Sequence, residues 1–118
     1  MIPVARPRSF PKALRLRRRP QFLTVQRDGV RRHTPHLVVI RRKGETGAPR
    51  LGITVSARVG NSVERNRIKR LLREVFRHRR ADLAPFDLVV IAKPGAGELT
   101  YGQAAREFSE ALGLEPRR

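Results

Sequence analysis

The chain has 118 residues, enough for one domain with a modest core. Its 39% hydrophobic content excludes a wholly disordered tail, and the lack of cysteine excludes disulfides, thiolate nucleophiles and cysteine-based zinc sites. Lys and Arg number 27 against 10 Asp and Glu, a formal net charge of +17, far beyond the roughly 2–8 that keeps a small domain soluble.

A compact domain of that charge repels itself, which costs stability. A polyanion is the usual compensation, because each Lys or Arg set on a phosphate releases condensed counterions. Lys12, Lys43, Lys69 and Lys93 are the lysines and the rest are arginines. Arginine forks phosphates and stacks on bases, which suits nucleic acid. No run approaches the roughly 18 apolar residues of a membrane span, and the start of the chain lacks the apolar core of a secretory signal. An Arg-rich start without acids through residue 20 would suit an organelle presequence, but Pro3, Pro7, Pro11 and Pro20 oppose its helix. The expected compartment is the cytoplasm, with no membrane and no obligate protein partner.

In chain order, residues 1–12 read as a flexible basic arm broken by Pro3, Pro7 and Pro11. Residues 13–118 read as a single RNA-binding domain. Pro20 fits the first turn of a short helix running to Gln26, with Gly29 after Asp28 as its stop. Arg15, Arg17, Arg18 and Arg19 precede it. Residues 30–33 are a candidate short strand, and 36–41, rich in β-branched residues, a stronger one. A glycine-bearing turn over 44–49 leads to a strand over 50–56, with Leu51, Ile53 and Val55 on one face.

Asn61 or Ser62 caps the clearest element, a helix over residues 62–80. Ile68, Leu71, Leu72, Val75 and Phe76 form its apolar stripe. Asn66, Lys69, Arg70, Arg73, Arg77 and Arg80 fan over the other side, Arg65 lies on the shoulder, and Glu74 is placed to pair with Arg70. A nearly continuous apolar strand over 86–92 reads as central, covered on both faces. After a turn over 93–97, residues 100–112 form an amphipathic helix with Tyr101, Ala104, Ala105, Phe108 and Leu112 toward the core, ended by Gly113 and Pro116. The order of helix, two or three strands, long helix, strand, helix suggests a small α/β sandwich.

The segment from Ser56 through Arg70 carries the chemistry. A helix start already favours anions through its free N–H groups and dipole, and Arg65, Arg67, Lys69 and Arg70 surround it with cations. Charge runs are more often solvated faces, but here Glu64 and Glu74 alone face eight basic residues, whereas surface helices usually mix signs. His33, His36 and His78 lack metal-ligand spacing and read as surface residues. Asp28, Asp82 and Asp87 sit at element ends, where Asp caps or turns the chain. Gly95-Ala96-Gly97 lacks the Lys-Ser/Thr of a phosphate-cradling loop. No catalytic set and no metal site emerge.

Arg65-Asn66-Arg67, preceded by Val59-Gly60-Asn61 and followed by residues 68–74, closely resembles the signature of the protein component of bacterial ribonuclease P. Phe22, Gly29, the strands near 51–56 and 87–92, and Leu99-Thr100-Tyr101 extend the resemblance over roughly residues 13–112. It implies an α+β fold, a four-stranded sheet packed with three helices. The crossover would be the rare left-handed kind, as in the second domain of a small-subunit ribosomal protein, where handedness rules favour the right-handed form. It also implies a protein that joins a catalytic ribonuclease P RNA, in a complex that removes the 5′ leader from precursor tRNA. Mg2+ bound mainly by the RNA would do the chemistry, and the protein would raise substrate and metal affinity.

By the same resemblance, Asn61, Arg65, Asn66, Arg67, Lys69, Arg70 and Arg73 contact the catalytic RNA, and Arg15, Phe22, Gln26, Ser56, Arg58 and Asn61 line or border a leader cleft. Phe22 as a base-stacking platform and Phe22 as ordinary core stay equally open. Gln26 and Ile40 stand where the family often carries aromatics, so the cleft would stack less and use more charge. A ribosomal protein, a general nucleic-acid chaperone and, last, a stand-alone nuclease are the rival readings.

Overall fold

A computed structural model describes residues 12–114. A short 3-10 turn, Lys12–Leu14, precedes helix α1 (Arg19–Asp28). Strands β1 (Val30–His33), β2 (Leu37–Lys43) and β3 (Arg50–Val55) follow, then α2 (Ser62–Arg79), β4 (Phe86–Ala92) and α3 (Tyr101–Ala111). The basic arm over 1–12 lies outside the described residues except for Lys12, and so does Pro116.

The strands form one mixed sheet in the order β1-β2-β4-β3. β4 pairs antiparallel with β2 and parallel with β3, so α2 is the crossover between two parallel neighbours. The apolar run of β4 is central, as its composition requires: Leu88, Val89 and Val90 are all buried.

Strand alternation splits the interior in two. Leu37, Val39, Leu51, Leu88 and Val90 face α2 and α3, meeting Ile68, Leu72, Val75, Phe76, Ala104 and Phe108. Val38, Ile40 and Val89 face the other way, under Leu16, Val25 and Phe22. Leu16 is held there by its N–H, which donates to the Leu51 carbonyl at 2.9 Å. Residues 15–16 thus bind along β3, an attachment no local pattern announced.

Caps define the helix starts. Asn61, rather than Ser62, caps α2: its Oδ1 accepts the Glu64 N–H at 2.9 Å, and Glu64 accepts the Asn61 N–H at 3.0 Å. Thr100 and Gln103 repeat the pattern on α3. In α1 the Gln21 side chain reaches back to the N–H groups of Arg17 and Arg18, both at 2.9 Å. Gly29 does end α1, but not by a left-handed turn, since its φ is −83°. It is needed because a Cβ there would lie 2.5 Å from the Val25 carbonyl and 2.7 Å from Ile40.

Four sequence expectations need correction. Glu74 pairs with Arg77 instead of Arg70, one helical turn on rather than one back. Tyr101 is 39% exposed, because its hydroxyl turns out to meet His78 Nδ1 at 2.5 Å. Asp87 is no end cap: it is buried within β4 and forks the Arg50 guanidinium at 2.8 and 2.7 Å, the two being register partners across the parallel pair. His36 is not a simple surface residue, since its ring nitrogen lies 2.6 Å from the nearly buried Glu107 carboxylate.

Candidate nucleic-acid interface

The seven lysines and arginines of α2 divide by what holds them, Arg80 falling in the 3-10 turn that follows. Arg65 donates to the Gly60 carbonyl at 3.0 Å. Arg67 donates through one nitrogen to the carbonyls of Gly97 and Leu99, both at 2.9 Å, and so ties α2 to the turn before α3. Arg77 is committed to Glu74, and Arg79, which is buried, to Asp82 at 3.3 Å. Arg70, Arg73 and Asn66 stand exposed and Lys69 half-buried. The displayed row is therefore narrower than composition suggests, and Arg65 and Arg67 enter it already oriented by backbone acceptors.

Along β3, an edge strand of the sheet, α1 and β3 enclose a cleft that reaches α2. Two adjoining cavities of about 590 and 280 Å³ share Arg17, Phe22, Ile53 and Lys69. Phe22 forms the floor, and Gly52 lets it: a Cβ at Gly52 would sit 2.6 Å from the Phe22 ring. Arg15 and Arg73 stand at one end, Arg19, Leu23, Gln26 and Val55 at the other. An apolar floor with a cationic rim fits a single-stranded polyanion, whose bases take the floor and phosphates the rim.

Half of the residues expected at the cleft come together there: Arg15, Phe22 and Gln26 line it. Ser56, Arg58 and Asn61 do not. They lie exposed past the end of β3, where Ser56 Oγ accepts the Arg58 N–H at 3.3 Å and Asn61 is spent partly on the cap. Lys69 and Arg73, expected on the RNA-facing side of α2, also wall the cleft. The two expected surfaces therefore meet on one helix. Arg17 and Arg19 were missed as site residues. Their signal was position, directly before a short helix whose apolar residues cover the sheet.

Ile40 is fully buried beneath α1, so it belongs to the core and not to the cleft wall. Among the described residues no three of His, Cys, Asp and Glu group as ligands for a metal ion, and no helix is long and apolar enough to cross a membrane.

The family profile for ribonuclease P matches residues 10–114. The chain is 42% identical over 105 residues to a ribonuclease P protein component of Geobacter sp. (strain M21), covering 89% of this chain and 90% of the relative. The corresponding figures for the Escherichia coli O139:H28 ribonuclease P protein component are 43% over 105 residues, 88% and 85%. Among solved structures, the Staphylococcus aureus RNase P protein superposes with a TM-score of 0.80 at 32% identity, covering 86% of this chain and 94% of its own. The Thermotoga maritima RNase P protein gives 0.76 at 30%, with coverage of 86% and 98%.

Proposed function

The chain belongs to the ribonuclease P protein family, and from that premise we propose how it works as the protein subunit of ribonuclease P in tRNA processing. It associates with the ribonuclease P RNA through α2. Asn66, Arg70 and Arg73 meet phosphates and sugars directly, while Arg65 and Arg67, fixed by the Gly60, Gly97 and Leu99 carbonyls, present their remaining N–H groups in set directions. The 5′ leader of precursor tRNA runs through the α1–β3 cleft. Phe22 stacks a base, and Arg15, Arg17, Arg19 and Lys69 take the phosphates.

The hydrolytic chemistry belongs to the RNA and its Mg2+. Among the described residues of this chain no three of His, Cys, Asp and Glu cluster to hold that ion. What the protein adds is charge and position. A leader held along cationic walls binds more tightly, and those walls relieve the repulsion between its phosphates and the phosphates of the adjoining RNA. The place of work on this reading is the cytoplasm of a bacterial cell, where precursor tRNA is made.

The observation that carries this reading is that Lys69 and Arg73 wall the cleft from the same helix that displays Arg70 and Asn66. A leader in the cleft and an RNA on α2 are thereby held side by side. The test is reconstitution with bacterial ribonuclease P RNA at low magnesium. Wild-type protein should restore cleavage at the mature 5′ end, and protein alone should cleave nothing. Arg70→Ala with Arg73→Ala should weaken assembly and flatten its salt dependence by roughly 0.7–0.9 in log–log slope per lost phosphate contact. Phe22→Ala should reduce affinity only for substrates that carry a leader. Equal losses with and without a leader would remove the leader from the cleft.

A further inference from the structure

A second concavity lies away from the cleft, between the C-terminal half of α2 and α3. It has a volume of about 580 Å³, within the range of sites that hold small ligands, and His78, Tyr101, Gly102, Ala105, Arg106 and Leu114 line it. Neither the signature nor the cleft uses it. Among the exposed large hydrophobic residues described, Leu23, Val30, Val63 and Tyr101, only Tyr101 is aromatic.

The Tyr101 ring is fixed as well as exposed. Its hydroxyl lies 2.5 Å from His78 Nδ1, and the two rings meet edge to face, 5.8 Å between centroids at 69°. An aromatic ring anchored at its tip has little rotamer freedom left to lose when a flat partner settles on it. The neighbours leave room: a Cβ at Gly102 would meet nothing within 4 Å, and Ala105, one helical turn on, is small.

Charge then selects the partner. Arg106 is exposed at the groove. Arg79 in its wall is answered by Asp82, and Glu74, between the groove and the displayed row of α2, by Arg77. Glu110 stands in the lining as a hydrogen-bond acceptor. A phosphate near Arg106, a neutral ring on Tyr101 and an amino group toward Glu110 describe one nucleotide. We propose that this groove is a second RNA subsite, in which an unpaired adenine or other amino-bearing base stacks on Tyr101 with its phosphate at Arg106. The inference rests on the RNA-binding reading of α2, whose row Arg70–Arg73 leads toward His78.

The sequence supplies its own reporter, because the chain has one tyrosine and no tryptophan. The full chain is titrated with a short labelled oligoadenylate while anisotropy and tyrosine emission are followed together. Emission should be quenched with the same midpoint as the anisotropy change. Tyr101→Leu should weaken binding about five-fold or more, the lower end for one stacked base. Tyr101→Phe should keep most of the affinity and Arg106→Ala should lose part of it, with circular dichroism confirming that each variant folds. Binding with unquenched emission and with Tyr101→Leu at wild-type affinity would overturn the subsite and leave the α2 reading intact. An emission change that follows protein concentration without RNA would assign the groove to a second copy and equally overturn it. Failure of both oligoadenylate and ribonuclease P RNA to bind would sink the α2 reading and this one with it.

Discussion

Replacing Gly52 by alanine tests the cleft floor through packing alone, with no change of charge. The new Cβ would lie 2.6 and 2.7 Å from two ring carbons of Phe22 and 3.1 Å from the Leu16 Cβ. Carbon atoms settle at about 3.5–4.0 Å, so the ring must withdraw by about 1 Å. Phe22 is half-buried and can tilt toward the cleft opening, whereas Leu16, tied to Leu51 by its N–H, cannot follow. Overpacking of this kind costs about 1–3 kcal/mol. Removing a glycine from a strand returns up to about 1 kcal/mol. The expected net loss is about 1–2 kcal/mol, or roughly 4–10 °C in melting temperature for a domain of this size. The same tilt spoils the stacking surface, so leader-dependent affinity should fall with stability. Phe22→Ala removes the clash, and in that background Gly52→Ala should cost nothing or stabilise. Urea unfolding of the four proteins gives the coupling energy, expected at about 1–2 kcal/mol. Additive costs, with a coupling near zero, would refute the view that Gly52 exists to seat Phe22.

Arg67→Lys keeps the charge but gives up the longer, planar guanidinium whose terminal nitrogen reaches both the Gly97 and Leu99 carbonyls. Its assembly defect with ribonuclease P RNA should approach that of Arg67→Ala, and amide exchange at 97–99 should rise in both; full rescue by lysine would mean that Arg67 acts by charge only. Glu107 yields a pH prediction. Burial pushes its carboxyl up, but hydrogen bonds from Thr34 and from the side chain and backbone of His36, with the charge of His36, outweigh that and hold it below its ordinary 4.5. A carboxyl depressed in the fold stabilises above its unfolded value, and that share is lost as pH falls through the folded one. Unfolding free energy should therefore drop with acid below about pH 4.5, and Glu107→Gln should flatten that slope. An unchanged slope would detach the β1–β2 turn from this titration.

Elements with a strong period were legible: α2 from its apolar stripe and β4 from its unbroken run ended within a residue of expectation. What escaped was long-range pairing. Arg50 and Asp87 are 37 residues apart, and His36 and Glu107 are 71 apart; neither pair leaves a mark in local pattern. Asp87 looked like an end cap because it stands second in its strand, yet it is the partner that a half-buried arginine in a parallel neighbour requires. Tyr101 looked like core because it falls on the apolar stripe of α3. It stays exposed because a hydroxyl at the first turn finds His78 on α2 more readily than it finds an acceptor inside.

The site itself was half legible, for a physical reason. Sequence gives the number of cations on α2, but only structure says which are spent. Arg65 and Arg67 at its N-terminal end meet carbonyls, and Arg77 and Arg79 at its C-terminal end meet acids. The C-terminal group also sits where the helix dipole favours positive charge. Both ends are therefore relieved of repulsion by the protein itself. The middle, Lys69, Arg70 and Arg73, has no such relief in the described contacts, and it is the stretch that adjoins the cleft. Self-repulsion that the fold leaves uncompensated there would be relieved by arriving phosphates, so on the proposed reading the alanine variants of those three residues should lose the most affinity among the seven cations of α2.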